Sequence, residues 1–152
     1  ASADHLIFVD DAGAEAMAAA GVVATLLPAA AFFLKLGRFA PARLLVARGV
    51  PVALATDMNP GGGFSASMPF VIALAAFGMG LTLEEALVAA TLNGAAALDR
   101  AGDVGSLEPG KRLDAVIIDG TLADLVRIGA PVVAGVMKGG RLVAGRLGGR
   151  PR

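Results

Sequence analysis

Three short runs of strand character, residues 2–8, 22–27 and 50–56, alternate with stretches of helical character over the first half of the chain. This rhythm narrows the fold more than any other feature. Strand–helix–strand units lay successive strands parallel in one sheet. The helices are marked by their ends. Asp10 or Asp11 caps a helix over residues 14–20 that Gly21 closes. Pro41 stands in the first turn of another, running to Arg48 and stopped by Gly49. Between them, Pro28 ends a strand and Phe32-Phe33 reads as loop. Ser65 or Ser67 caps a helix that ends near Met79-Gly80. Thr82 and Glu85 form a capping box for one more, extending to about Arg100 with Gly102 as its stop.

From Asp103 onward the texture turns to β. Residues 104–107 and 114–119 read as strands, residues 122–127 as a short helix, and residues 132–145 as a hairpin. Its Lys138-Gly139-Gly140-Arg141 turn suits central residues at positive φ. An eight-stranded α/β barrel takes about 250 residues. A chain of 152 residues therefore carries at most the last part of one, or else forms a small open α/β sheet.

Charge excludes some functions. Thirteen basic residues balance thirteen acidic ones, which leaves no footprint for nucleic acid or an anionic membrane, and neither is expected as a partner. With no cysteine, disulfides and thiolate zinc sites are ruled out. Charged residues make up 17% of the chain, against about 25% in ordinary soluble domains. So apolar a chain is expected to bury much of its surface against something else. Residues 16–34 are uncharged and long enough to span a bilayer, but Gly21, the β-branched run 22–27 and Pro28 break them into shorter elements. No secretory leader pattern is visible, and a cytoplasmic location is expected. The first residue is Ala1 rather than Met, which points to processing or to a piece of a longer protein.

Two residues sit where α/β folds place ligands, just past strand ends. His5 is the only histidine, and a lone histidine is ordinarily a surface or hydrogen-bonded residue. Asp57 leaves the apolar run 50–56, where a carboxylate is costly without water, a partner or a metal. Its alternative role is turn former or helix cap, since Asn59-Pro60-Gly61 is good turn chemistry. Gly61-Gly62-Gly63 can present backbone N–H groups to a carboxylate or small polar ligand. The triplet lacks the lysine and hydroxyl residue of a nucleotide-gripping loop.

Taken in order, Ser2-Ala3-Asp4-His5-Leu6, Leu26-Leu27-Pro28, Ala55-Thr56-Asp57-Met58-Asn59-Pro60-Gly61, Thr82-Leu83-Glu84-Glu85 and Gly105-Ser106-Leu107-Glu108-Pro109-Gly110 resemble a known family. The resemblance is to the C-terminal portion of the imidazolonepropionases, metal-dependent amidohydrolases of histidine degradation, and runs from Ser2 to about Gly140. The last two motifs specify only the superfamily. The Ser-Ala-Asp-His and Ala-Thr-Asp-x-Asn-Pro-Gly motifs are the specific ones.

The resemblance implies hydrolysis of 4-imidazolone-5-propanoate to N-formimidoyl-L-glutamate with one zinc or iron ion in a (β/α)8 barrel. Asp57 matches the aspartate that ligates the metal and takes the proton of the attacking water. His5 matches the histidine that orients this water and stabilises the developing oxyanion. Asn59 and Gly61 match substrate-binding positions. Gly62 falls on the next one, where the family usually carries Ser or Thr, so a hydroxyl contact is lost there. Residues 1–102 would form the last three α/β units and trailing helix of the barrel. Residues 103–147 would form a β-rich accessory segment, and residues 148–152 a loose tail. The remaining metal histidines and the substrate arginine and tyrosine would lie upstream of Ala1. One Asp and one His cannot hold a catalytic metal that takes about three protein ligands. The chain alone should then be inactive, and should oligomerise or pair with the missing barrel half. Two alternatives stand beside this reading: a related amidohydrolase or deaminase acting on another cyclic amide or nucleobase, and a non-catalytic α/β binding module.

Overall fold

The computed structural model of the protein describes residues 1–127, 129 and 131–145. The expected loose tail, residues 148–152, and the last residues of the accessory segment lie outside these. The first half is a parallel three-stranded sheet in the order β1-β2-β3, formed by Ser2–Asp4, Val23–Leu26 and Val52–Leu54. The register sets Asp4 beside Thr25 and Thr25 beside Ala53. One face of the sheet presents Ala24, Leu26, Val52 and Leu54 to the core, where Leu45 and Val71 are completely buried. At about 25 cal/mol per Å² of apolar surface, this burial is what holds the unit together.

Helix α1, Asp11–Ala19, starts as expected, with the Asp10 carboxylate accepting from the Gly13 N–H at 2.8 Å. Helix α3, Ala42–Ala47, leads through Gly49 into β3. Helix α4, Met68–Met79, is capped by Ser67 and ends at Gly80 in the left-handed conformation that glycine adopts without cost. Helix α5, Leu83–Ala90, carries the full capping box: the Glu85 N–H donates to Thr82 Oγ1 at 3.1 Å and the Thr82 N–H to Glu85 Oε2 at 2.8 Å.

Several elements differ from the sequence expectation. β1 ends at Asp4 rather than Phe8, because His5 and Leu6 adopt φ of 65° and 56° and turn the chain out of the sheet. Phe32 and Phe33 lie in a helix, α2, Pro28–Phe33. Pro28 starts that helix as well as stopping the strand, since its missing N–H would find no helical partner at that position. The helix expected to run on to Arg100 breaks at Thr91, with φ −120° and ψ −84°, and resumes as α6, Leu92–Ala97. Thr91 turns its hydroxyl onto the Leu87 carbonyl at 2.7 Å, and Asn93 anchors the new helix by donating to the Val52 carbonyl at 2.8 Å.

Residues 104–107 form no strand. Gly105 has φ +97°, and a Cβ there would lie 2.6 Å from that of Ala95, so this segment is pressed onto α6 as a tight turn. The short helix near 122–127 is 3₁₀, Leu122–Val126. The strand near 114–119 and the hairpin near 132–145 are present, and they join in one antiparallel sheet in which β4 (Ala115–Ile118), β5 (Val133–Lys138) and β6 (Arg141–Gly145) pair in that order. Gly139 and Gly140 have φ of 56° and 78°, the paired positive values that a two-residue hairpin requires. Among the described residues, no helix is long and apolar enough to cross a membrane.

Candidate active site

The first and third strands of the parallel sheet deliver the two residues singled out by type and position. His5 follows β1 and Asp57 follows β3, and β2 separates the strands. Their side chains converge across it, with His5 Nε2 4.0 Å from Asp57 Oδ2. The imidazole is 53% exposed and the carboxylate 29%, so the pair sits at an open rim. At such an open rim a contact of this length contributes under about 1 kcal/mol, so it adds little to stability. Both residues have left-handed backbones, His5 with φ 65° and Asp57 with φ 50°. Non-glycine residues in that region cost on the order of 1–3 kcal/mol each and concentrate at functional sites.

The loop after Asp57 is stitched together by its own polar groups. Asn59 Nδ2 donates to the Asp57 carbonyl at 2.7 Å and to Asp57 Oδ1 at 3.0 Å. Asn59 Oδ1 in turn accepts from the Gly61 N–H at 2.7 Å, and the Asn59 N–H donates to the Gly63 carbonyl at 3.0 Å. One carboxylate oxygen of Asp57 is therefore occupied by Asn59, and the other is left facing His5. The structure brings His5, Asp57, Asn59 and Gly61 into one constellation. Gly62 is buried beneath it, and a Cβ there would meet Leu34 Cδ1 at 3.2 Å.

Sequence reasoning missed three features. Gly63 has no room for any side chain, since a Cβ would lie 1.8 Å from the Asp57 carbonyl oxygen. Thr25, beside Asp4 in the register, holds a buried hydroxyl with no hydrogen-bond partner among the described residues. Phe33 joins Phe64 and Phe70 in an aromatic cluster next to the glycine loop, with centroid separations of 5.4 and 6.1 Å. The Phe-Phe pair and the glycine triplet were the available signals, but only the fold shows that they meet.

A metal ion bound by nitrogen and carboxylate oxygen sits about 2.0–2.2 Å from each. The Asp57 carboxylate is a donor type that fits such an ion, and His5 Nε2, 4.0 Å from Asp57 Oδ2, is placed to stand beside the ion rather than on it. Among the described residues no group of three or more His, Cys, Asp or Glu side chains could hold a metal without further donors. A shallow recess of about 450 Å³, lined by Val50, Pro51, Leu81 and Glu84 among others, lies at the opposite end of β3 and plays no part in this constellation.

The amidohydrolase family model matches residues 2–143. The imidazolonepropionase of Syntrophobacter fumaroxidans is 56% identical over 119 residues, covering 78% of this chain and 28% of that protein. The imidazolonepropionase of Bacteroides fragilis is 52% identical over 143 residues, covering 93% of this chain and 34% of that protein. The chain thus spans about a third of the length of the curated relatives it matches. Among solved structures, a zinc-bound adenosine deaminase from Xanthomonas campestris superposes with a TM-score of 0.82 at 27% identity, over 93% of this chain and 36% of that one. Guanine deaminase from E. coli gives the same TM-score at 20% identity, over 96% and 39%.

Proposed function

Because the chain belongs to the amidohydrolase family, we propose that it is the C-terminal part of a hydrolase that opens the ring of 4-imidazolone-5-propanoate to N-formimidoyl-L-glutamate. In this reading residues 1–102 complete a (β/α)8 barrel and residues 103–147 form its β-rich accessory segment. The enzyme is cytoplasmic, and the chain works only together with the other barrel strands, which carry the remaining metal donors. The observation that carries the proposal is the convergence of His5 and Asp57 at a parallel-sheet rim.

Asp57 would hold one zinc or iron ion together with donors from the rest of the barrel. When bound, that ion makes water acidic enough to supply hydroxide near neutral pH. The chain's own residues do the rest. Asn59 fixes Asp57 Oδ1, so the free Oδ2 is the atom that accepts the proton of the attacking water. His5, directed at that oxygen from across the sheet, orients the water and donates to the oxyanion as the water's oxygen adds to the ring carbonyl carbon; the C–N bond then breaks and the proton held on Asp57 passes to the leaving ring nitrogen. The Gly61 N–H already serves Asn59, which sets the loop's shape before substrate arrives. The substrate lies against Asn59, Gly61 and Gly62. Leu34 backs Gly62, so the contact there is apolar where a hydroxyl would have been polar.

The test joins this chain to the upstream two thirds of an imidazolonepropionase relative and measures ring opening together with bound zinc and iron. Asp57→Asn is expected to lower both metal content and rate, the rate by about 100-fold or more. His5→Ala is expected to lower the rate by about 100-fold with metal retained. Full metal and full rate in Asp57→Asn would remove the proposal. The deaminase-like neighbours support a second reading, a related hydrolase of another cyclic amide or nucleobase. Turnover of adenosine or guanine by the same joined protein, without imidazolone propanoate turnover, selects that one.

A further inference from the structure

The loop that follows α2 lies along the rim and is held at several points. The Lys35 N–H donates to the Phe32 carbonyl and the Leu36 N–H to the Ala31 carbonyl, each at 3.1 Å. Leu34 packs against Gly62, in the loop that follows Asp57. Phe39 packs onto α4 where Gly78 lacks a side chain, since a Cβ at Gly78 would meet the Phe39 ring at 2.6 Å. At the other end Arg38 lies over the Phe8 ring, its guanidinium carbon 5.2 Å from the centroid, and Phe8 is three residues past His5. The loop therefore bridges the segment after β1 to the segment after β3, the two that carry His5 and Asp57.

Its charges are unusual for this molecule. Arg43, Arg48, Arg100, Arg112 and Arg127 each pair with a carboxylate. Among the described residues, neither Lys35 nor Arg38 has a carboxylate within 4.0 Å. The nearest acid in sequence to Phe8, Asp10, caps α1 by accepting from the Gly13 N–H. Two unneutralised cations thus stand on this braced loop, and one of them lies over the Phe8 ring. An exposed guanidinium over an aromatic face keeps its charge and its outward N–H groups.

We infer that Arg38, helped by Lys35, is an encounter site for a carboxylate-bearing substrate, drawing it to the rim before it reaches His5 and Asp57. The inference rests on the proposed function, whose substrate carries a propanoate group. Two unit charges 10 Å apart in water interact by about 0.4 kcal/mol, which is about twofold in encounter rate, and two cations together give about fourfold. The effect is a rate of arrival, so it belongs to kcat/KM and leaves kcat alone. It also fades once salt shortens the Debye length to about 3 Å near 1 M.

The experiment uses this chain joined to the upstream barrel sequence, assayed with imidazolone propanoate and with its uncharged propanamide analogue. At about 0.01 M ionic strength, R38Q is expected to lower kcat/KM for the acid two- to threefold, and R38Q with K35Q about fourfold. Their kcat should stay unchanged, and R38K should behave as the parent. The loss should vanish near 1 M salt and be absent for the amide. Equal losses for acid and amide, or losses that persist at high salt, would show a structural role and overturn the inference. Unchanged kcat/KM in R38Q and the double variant would overturn it too. Failure of the unsubstituted protein to turn over either compound would instead overturn the functional reading beneath it.

Discussion

Gly63 decides whether the loop around Asp57 can close. Its α-carbon sits so near the Asp57 carbonyl that a methyl group would overlap the oxygen at 1.8 Å, and backbone cannot yield as a side-chain tip does. Gly63→Ala is therefore expected to open the loop and release Asn59 from its bonds to Asp57. In the joined enzyme, kcat/KM should fall at least tenfold while circular dichroism of the core stays unchanged. A fall of less than twofold would mean the loop tolerates the methyl. Asp57 was legible in the sequence because a carboxylate leaving an apolar strand needs a reason to be there. Gly63 was not, because its necessity is a distance between backbone atoms that only the folded turn creates.

At the scale of elements, local hydrogen-bond chemistry was readable and tertiary chemistry was not. The caps at Asp10, Ser67 and Thr82 and the hairpin at Gly139-Gly140 follow from neighbours a few residues apart. The helical state of Phe32 and Phe33, and the break at Thr91, follow from Phe70, Phe64 and the Val52 carbonyl, which are distant in sequence. Thr82→Ala removes the cap of α5 and is expected to cost about 1 kcal/mol, measurable by urea unfolding.

The antiparallel sheet carries its own pH dependence. The Gly139 N–H holds the Asp114 carboxylate below its ordinary 3.8, and Lys138 and Arg112 add to the effect. A carboxylate lowered in the folded state contributes stability that is complete above its unfolded value and lost as pH falls through the folded one. The hairpin is accordingly expected to loosen below about pH 4, seen as faster amide exchange at β5 and β6. Asp114→Asn should remove that acid-dependent step.

Over the whole molecule the dominant fact is how much apolar surface stays open. Phe8, Phe64, Phe77, Leu98 and Leu107 are all at least 65% exposed. Among the described residues β1 and β3 each pair with no strand but β2, so both margins of the parallel sheet are edges. α4 has no charged side chain along its length, yet Phe77 points away from the core. The low charge content foretold this exposure, though not which faces would bear it. The chain on its own is expected to bind a hydrophobic dye and to sediment as more than a monomer. Joined to the upstream barrel sequence, it should lose most of the dye signal. A dye-silent, monomeric isolated chain would contradict the barrel-fragment reading.

The placement of His5 and Asp57 on the two outer strands of one continuous sheet has a consequence for engineering. The pair travels together as a cassette, since one three-stranded sheet sets both positions. Under the proposed function, grafting this segment onto upstream halves from different relatives would exchange the rest of the site while His5 and Asp57 kept their register. Such chimaeras would show how far metal preference and acid–base chemistry can be exchanged independently.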